Sequence, residues 1–345
     1  MKRKKKSLAK SRIIIYSLIS VIFFFIISIS LYSYFRLNEK ILTKVDIFVQ
    51  IPPNASYSGI VNILNKEKIF EPKWLFSILV RSYSLIFGDK LFSGTYRFSS
   101  DNTNLHVLRA LFSGNQLYVV KVTFPEGINL REFAEIAQKK IGCDSLEFIK
   151  AASDKKILAQ YNITAKNAEG YLHPNTYNFY WKQSAADVVN RLLQLHSQIW
   201  KEKFEKDLKN TKFNKHQILT LASIIEAESP LAEERPIVSG VYHNRIRLGM
   251  KLEADPTVKY LFTEKRSRVL YKDLRINSPY NTYMYPGLPP GPINSPSISS
   301  IEAALKPDIN DYVFFVAYGD GSSRHRFAKN STQHVENVRK FRKTQ

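Results

Sequence analysis

The sequence predicts an α+β chain behind a single N-terminal membrane helix. Three observations predict it. A basic run is followed by a long stretch without charge. Three short segments then repeat a plan of strand, polar turn and helix. The remainder alternates amphipathic helical stretches with loops dense in Pro and Gly.

The membrane helix is the plainest of these. Lys2, Arg3, Lys4, Lys5, Lys6, Lys10 and Arg12 form the basic run, and Ile13 to Phe35 contains no charged residue. As a helix that stretch is ~35 Å long at ~1.5 Å per residue, enough to cross a bilayer. A cleavable signal peptide would have a shorter apolar core and a small-residue cleavage site. Here the stretch ends Tyr32-Ser33-Tyr34-Phe35-Arg36, with no A-x-A pattern, and reads as an uncleaved anchor. Tyr32, Tyr34 and Phe35 suit an aromatic belt. The basic run belongs in the cytoplasm. Residues 1–12 are then a cytoplasmic tail and 13–35 a single-pass span of the cytoplasmic (inner) membrane. The rest lies on the outer, periplasmic face.

The chain has 345 residues, enough for two domains. Its net charge of +21 would suit a nucleic-acid binder, but the charge is scattered and the topology keeps the main body away from nucleic acid. Anionic lipid or an acidic polymer is the better partner class, beside the plain reading of a lysine-biased proteome. Cys143 is the single cysteine. No intramolecular disulfide or Cys-based metal site is possible, and its place at a helix junction reads as structural.

The first strand-helix segment is Val45 to Ile51, a turn at Pro52-Pro53-Asn54, and a helix over Ser58 to Lys66. The second is Gly94 to Phe98, then Ser99 to Asn102, then a helix over Asn104 to Phe112. The third is Tyr118 to Phe124, Pro125-Glu126-Gly127, and a helix over Leu130 to Lys140, with Asn129 and Glu132 as its capping box. Pro72 to Phe87 reads as an apolar helix. Such units resemble the LysM-like modules that bind amino-sugar polymers, though generic α+β packing yields the same pattern. Further on, Asp144 to Ala159 and Ser184 to Phe204 read as helices, around a turn-rich aromatic stretch at Tyr171 to Tyr177.

Asn214 and Gln217 open a helix that runs to about Glu228, where Ser229-Pro230 disfavours its continuation. A second helix starts near Pro236 and ends at Gly249. Met250 to Val258 reads as hairpin-like. The segments around Tyr280, Asn281 and Tyr283 and at Gly287 to Pro292 read as rigid loops, either a cleft wall or ordinary surface. Glu226 stands out within Ile224-Ile225-Glu226-Ala227-Glu228. Buried among apolar residues, its carboxyl would hold a proton near neutral pH, as cleavage of a glycosidic bond requires. On the solvated helix face it would be an ordinary surface Glu.

Several ordered motifs now converge. They are Leu221 to Glu228, Glu234-Arg235, Asn244-Arg245, Gly249-Met250, Asp255-Pro256-Thr257-Val258, Ser278 to Tyr283 and Gly287 to Gly291. With Glu169-Gly170-Tyr171-Leu172, Pro174, Thr176-Tyr177, the Tyr312 to Ala317 strand, His325, Phe327 and His334, they resemble the endolytic murein transglycosylases of the YceG-like family. The resemblance covers essentially everything after residue 12. It implies a LysM-like α/β subdomain over 37–120 and an α+β catalytic domain over 121–345. It also implies a lyase that cuts the bond between N-acetylmuramic acid and N-acetylglucosamine within nascent glycan strands. The ends formed would be 1,6-anhydro sugars, and strand growth would stop. Peptidoglycan synthases are the partners implied; no metal or other cofactor is.

The family's catalytic glutamate falls on Glu226. One carboxyl would serve as acid and then as base, unlike the two-carboxylate glycosidases. Asn244, Arg245, Asp255, Thr257, Tyr280, Asn281 and Tyr283 are the candidate substrate-binding residues. Asn244 and Arg245 could instead hold the two helices together, and Asp255 could instead cap a turn. Glu228 lies about 200° round the helix from Glu226 and suits the surface or an ion pair with Arg235 or Arg245. His325 and His334 read as structural. Glu253 and Gln333 depart from the family's usual Gln and Glu; Glu253 facing the cleft would raise the pKa of a neighbouring carboxyl. Two other classes stay open. One is a lysozyme-type hydrolase with Glu226 as acid and Asp255 helping a water. The other is a non-catalytic glycan-binding scaffold of the envelope.

Overall fold

The computed structural model describes residues 2–41, 46–52, 55–87, 91–114, 117–264 and 266–344, and of residues 2–13 only the backbone. Val45 of the first expected strand, Pro53 and Asn54 of the turn after it, and the side chains of the basic run lie outside the described residues. The fold is mixed α+β with two-stranded sheets, as expected. The chain divides into two compact units, one over 1–119 with 180–182, the other over 120–179 and 183–345.

The first unit opens with α1 (Lys2–Asn38), whose stretch Ile14–Asn38 is long and apolar enough to cross a membrane. Strand β1 (Ile47–Ile51), helices α2 (Tyr57–Lys66) and α3 (Lys73–Phe87), and strand β2 (Gly94–Phe98) follow. The two strands pair antiparallel, Ile47 opposite Phe98 and Ile51 opposite Gly94. The alternation of strand side chains sends Val49, Ile51, Tyr96 and Phe98 to one face, where they bury against Leu64, Phe76 and Val80. Helix α4 (Asn104–Ser113) closes this core with Val107 and Leu111. Thr103 caps its start, and Gly114 ends it in the left-handed region.

The second unit begins with β3 (Val119–Phe124), which pairs with β4 (Asn175–Tyr180). Between them lie α5 (Leu130–Ile141), α6 (Ser145–Ala151) and α7 (Lys155–Gln160). Asn129 and Glu132 form the expected capping box on α5. The single helix expected over Asp144 to Ala159 is two. Asp154 accepts from the N–H groups of Lys156 and Ile157 and so starts α7 as an N-cap in mid-stretch. The aromatic stretch Tyr171 to Tyr177 runs into β4, a strand that its turn residues concealed.

Helix α8 (Ala185–Ile199) continues as one π turn over Trp200–Phe204 into the short α9 (Glu205–Leu208). Helix α10 (Lys215–Glu228) carries the Asn214–Gln217 capping box, and α11 (Arg235–Arg247) places Pro236 in its first turn. The expected hairpin at Met250 to Val258 does not form. Instead α12 (Asp255–Lys259) starts there, with Pro256 in its first turn. After a 3-10 turn at Asp273–Arg275, α13 (Ile298–Leu305) packs on α10 and α11. Strands β5 (Phe314–Ala317) and β6 (His325–Ala328) pair antiparallel, and α14 (Ser331–Lys343) packs on them. Helix α10 is central: every residue from Ile218 to Ile225 is buried. A helix apolar on all sides belongs in the middle of a core.

Candidate active site

Glu226 sits in the last turn of α10, where the buried run ends. Its surroundings are not the apolar sleeve that the two preceding isoleucines suggest. Arg235 donates from Nη2 to Oε1 at 3.1 Å, and the two side chains are each 8% exposed. Ser297 donates its backbone N–H to Oε2 at 2.9 Å and its hydroxyl to the same oxygen. A carboxylate offers about four lone-pair sites. Oε2 uses both of its own, and Oε1 keeps one free.

Each donor is fixed in turn. Ser297 is the N-cap of α13 and accepts from the Ser300 N–H, so it is bound to a helix start whose dipole favours a carboxylate. Arg235 also binds the Ser229 carbonyl at 3.2 Å and the hydroxyls of Ser297 and Ser299. The segment that delivers Ser297 is laced across α10. Ile293 N–H donates to the Ser223 hydroxyl at 3.0 Å, and the Asn294 amide donates to the Ser223 carbonyl at 2.8 Å. From the other side, the turn Pro125-Glu126-Gly127 approaches so closely that a Cβ on Gly127 would lie 3.6 Å from Glu226 Cγ. Burial pushes the Glu126 carboxyl up, the charge of Glu226 adds to this, and Arg235 opposes it.

A cavity of about 540 Å³ opens beside these residues. Gly127 and Ala227, the chain neighbours of Glu126 and Glu226, form part of its wall with Asn294, Tyr260, Arg131 and Lys259. Tyr260 is held by Glu169, a buried carboxyl that accepts its hydroxyl at 3.2 Å and the Leu130 N–H with both oxygens. Burial pushes Glu169 up to about 7 against those bonds. The next residue, Gly170, has φ +77°, and a Cβ there would lie 2.4 Å from Pro292 Cβ. Only glycine fits. Tyr171 then binds His216 Nδ1 at 2.8 Å, whose Nε2 meets the Pro290 carbonyl at 2.8 Å. Glu169-Gly170-Tyr171 thus fastens the Pro/Gly loop to the α5 and α10 starts.

The other candidate residues divide. Asp255 and Tyr283 come together, the phenol donating to the exposed carboxylate at 2.6 Å. Tyr280 is half-buried, its ring 5.1 Å from that of Tyr260. Asn244, Arg245, Thr257 and Asn281 turn their polar atoms inward. Asn244 donates to the carbonyls of Asn310 and Tyr312, and Arg245 to those of Val313, Lys251 and Leu252. Thr257 is bound to the Ala254 carbonyl and to Thr282, and Asn281 to the carbonyls of Leu274 and Ile276. These four spend their bonds on the scaffold rather than on Glu226.

Glu228 makes no ion pair with Arg235 or Arg245. It accepts the Tyr242 hydroxyl at 3.1 Å, and burial pushes it up to about 7. Glu253 pairs with Arg245 at 3.1 Å. His325 binds Glu234 at 2.7 Å, and His334 stacks on Phe314. Cys143 is buried and its thiol pushed up to about 11 by that burial, which leaves it inert. Among the described residues no His/Cys/Asp/Glu group has the arrangement of a metal site. Arg235, which the sequence offered with Arg245 as a partner for Glu228, pairs with Glu226 instead, and Ser297, Ser299 and Asn294 were missed altogether. Ser297 carried only the signal of a helix cap.

This is a site in which one carboxyl on a buried helix is clamped one residue away from the wall of an open cavity. Residues 49–340 match the model of the YceG-like family. An endolytic murein transglycosylase of Bacillus subtilis is 31% identical over 293 residues, 81% of either chain. One from Streptococcus pneumoniae is 23% identical over 326 residues, 86% of this chain but 58% of that protein's length. A crystal structure of a YceG-like protein from Listeria monocytogenes is similar with a TM-score of 0.58 and 30% identity, covering 85% of this chain and 99% of that one. The chain belongs to the YceG-like family.

Proposed function

We propose that the protein is a lyase of the cell envelope, an endolytic peptidoglycan transglycosylase with Glu226 as its acid and base. The observation that carries this reading is the clamp on Glu226, with one lone pair of Oε1 free, next to an open cavity. Preorganised donors of this kind hold a reacting group without cost at the moment of reaction. The naming of two relatives as endolytic murein transglycosylases supports the substrate.

Protonated Glu226 gives its proton to the glycosidic oxygen as the bond from muramic C1 to that oxygen breaks. The muramic C6 hydroxyl then bonds to C1, and its proton returns to Glu226. The sum consumes no water and leaves a 1,6-anhydro end inside a strand, which ends its growth. Tyr280, Tyr283 and Asp255 offer ring faces and a carboxylate for sugar.

Helix α1 is the single-pass anchor in the cytoplasmic membrane, with the basic tail inside and the catalytic unit outside. The order β1-α2-α3-β2 supports a LysM-like module that binds glycan near the membrane. Peptidoglycan synthases would meet the protein there.

The test is a digest of purified peptidoglycan by the full chain in detergent, wild type beside Glu226→Gln, read by mass spectrometry without reduction. Anhydro-muramic ends that vanish in the mutant are the expected result. Reducing ends, one water heavier, would make the protein a hydrolase. Intact glycan bound by both forms would make it a scaffold.

A further inference from the structure

Helix α3 turns apolar side chains outward. Its inner face carries Phe76 and Val80 into the core of the first unit, with Leu79 and Tyr83 packed against it. The opposite face presents Trp74, Ile78, Ser82 and Leu85, which recur at the spacing of one helical stripe. Trp74 is 50% exposed, Ile78 54% and Leu85 86%. A lone apolar residue at a surface is ordinary, but a row of them on one face marks a surface that meets something. The same helix holds Lys73 and Arg81, both exposed, and no acid.

The end of α1 lies against the start of that stripe. Tyr32 stacks on Trp74, with ring centroids 6.1 Å apart and planes 7° from parallel. Tyr32 belongs to the last turns of the charge-free stretch, and Tyr34 and Phe35 beside it are exposed. Aromatic side chains at the end of a spanning helix sit at the level of the lipid headgroups. The stack puts the start of α3 at that level too. Further bonds keep it there. Arg36 donates to the Glu71 carbonyl at 2.6 Å, just before α3, and its own carbonyl accepts the Asn104 amide at 2.8 Å, at the start of α4. Just after α1, Ile41 N–H donates to the Asn102 carbonyl at 3.0 Å. The end of α1 is thus tied to the body of the first unit.

We infer that the outward face of α3 is a second membrane contact, lying on the surface of the bilayer where α1 emerges, with Trp74, Ile78 and Leu85 sunk among the lipids. The inference goes beyond the proposed reaction and rests only on the reading of α1 as an anchor. A helix of this kind buries its apolar side about 5–10 Å into the boundary between headgroups and acyl chains. Lys73 and Arg81 flank the stripe and suit anionic phospholipid. A glycan or a second copy of the chain would need a surface held clear of lipid, whereas the Tyr32 stack turns this one towards the bilayer. One attachment through the membrane and one along it fix the tilt of the first unit, which a single helix would leave free to swing.

The test is quenching of a fluorophore on the full chain in vesicles of mixed phosphatidylcholine and phosphatidylglycerol. A thiol-reactive label is placed on Ile78→Cys or Leu85→Cys, on Phe24→Cys within the span, and on Gln50→Cys at an exposed position of β1. Cys143 is buried and inert, so the unsubstituted chain serves as the labelling blank. Lipids with a nitroxide near the headgroup should quench the labels at 78 and 85 and spare the one at 50. A nitroxide deep in the acyl chain should quench the label at 24. Iodide in the water should quench the label at 50 and lose its effect at 78 and 85. Labels at 78 and 85 that answer to iodide and not to lipid, with 24 still quenched by lipid, would overturn the inference and leave the anchor standing. A label at 24 that no lipid quenches would defeat the anchor, and the inference with it. Shielding from iodide that grows with protein density and brings no lipid quenching would make the face a contact between two copies, which overturns the membrane contact as well.

Discussion

Arg235 donates to Glu226 across a buried 3.1 Å ion pair, and both side chains then converge on the Ser297 hydroxyl. The three residues form a closed triangle between α10, α11 and the start of α13. Orientation of Glu226 is therefore a property of three helices rather than of one rotamer.

Removing the guanidinium should unlock that triangle. Breaking a buried pair from one side leaves an uncompensated charge and costs about 3–5 kcal/mol. Arg235→Ala should lower the urea midpoint of the full chain accordingly and abolish turnover. Arg235→Lys should keep part of the stability but little of the rate, because a lysine cannot reach Glu226, Ser229, Ser297 and Ser299 at once.

Ser297→Ala tests the other corner. The backbone N–H to Oε2 survives, and the hydroxyl bond is lost. A hydrogen bond to a charged group contributes about 1.5–3 kcal/mol. Anhydro-end formation should fall by about 10- to 100-fold with the chain still folded, as a rate assay beside circular dichroism would show.

Gly170→Ala probes the Pro/Gly loop. The new Cβ would meet Pro292 at 2.4 Å from a backbone at φ +77°. Overpacking costs about 1–3 kcal/mol, and the positive φ adds to it. A lowered melting temperature is the expected outcome. Ala at Gly287, which also has positive φ but no atom within 4 Å, should cost less.

Stability should decline between mildly acid and neutral pH. Glu169 and Glu228 are both pushed from 4.5 up to about 7. Across that window the folded chain holds protons that the unfolded chain has released, so stability falls as pH rises. The effect is complete above the folded pKa. Melting temperatures from about pH 4.5 to 8 should trace this fall. Glu169→Gln and Glu228→Gln should each flatten part of the slope.

Local chemistry was legible from residues alone. Asn129 with Glu132, and Asn214 with Gln217, opened their helices as capping boxes. Ser229-Pro230 closed α10, and the charge-free stretch marked α1. Three of the strand-helix segments fell where periodicity put them. The errors were also local: Asp154 caps a new helix inside what reads as one, and Pro256 starts α12 where a hairpin was expected.

The sequence by itself determined the long apolar N-terminal helix, the helix caps and the α+β class, because these depend on residues within a turn or two of one another. Tertiary structure alone decided what surrounds Glu226. Ser297 is 71 residues away and Arg235 nine, and the turn at Gly127 arrives from about a hundred residues earlier. Two isoleucines before a glutamate suggest apolar burial, but burial is settled by what packs opposite. Here that is a guanidinium and a helix start. None of them leaves a mark in the eight residues around Glu226, since a side chain's long-range partners are chosen by the packing of α10 against α11 and α13.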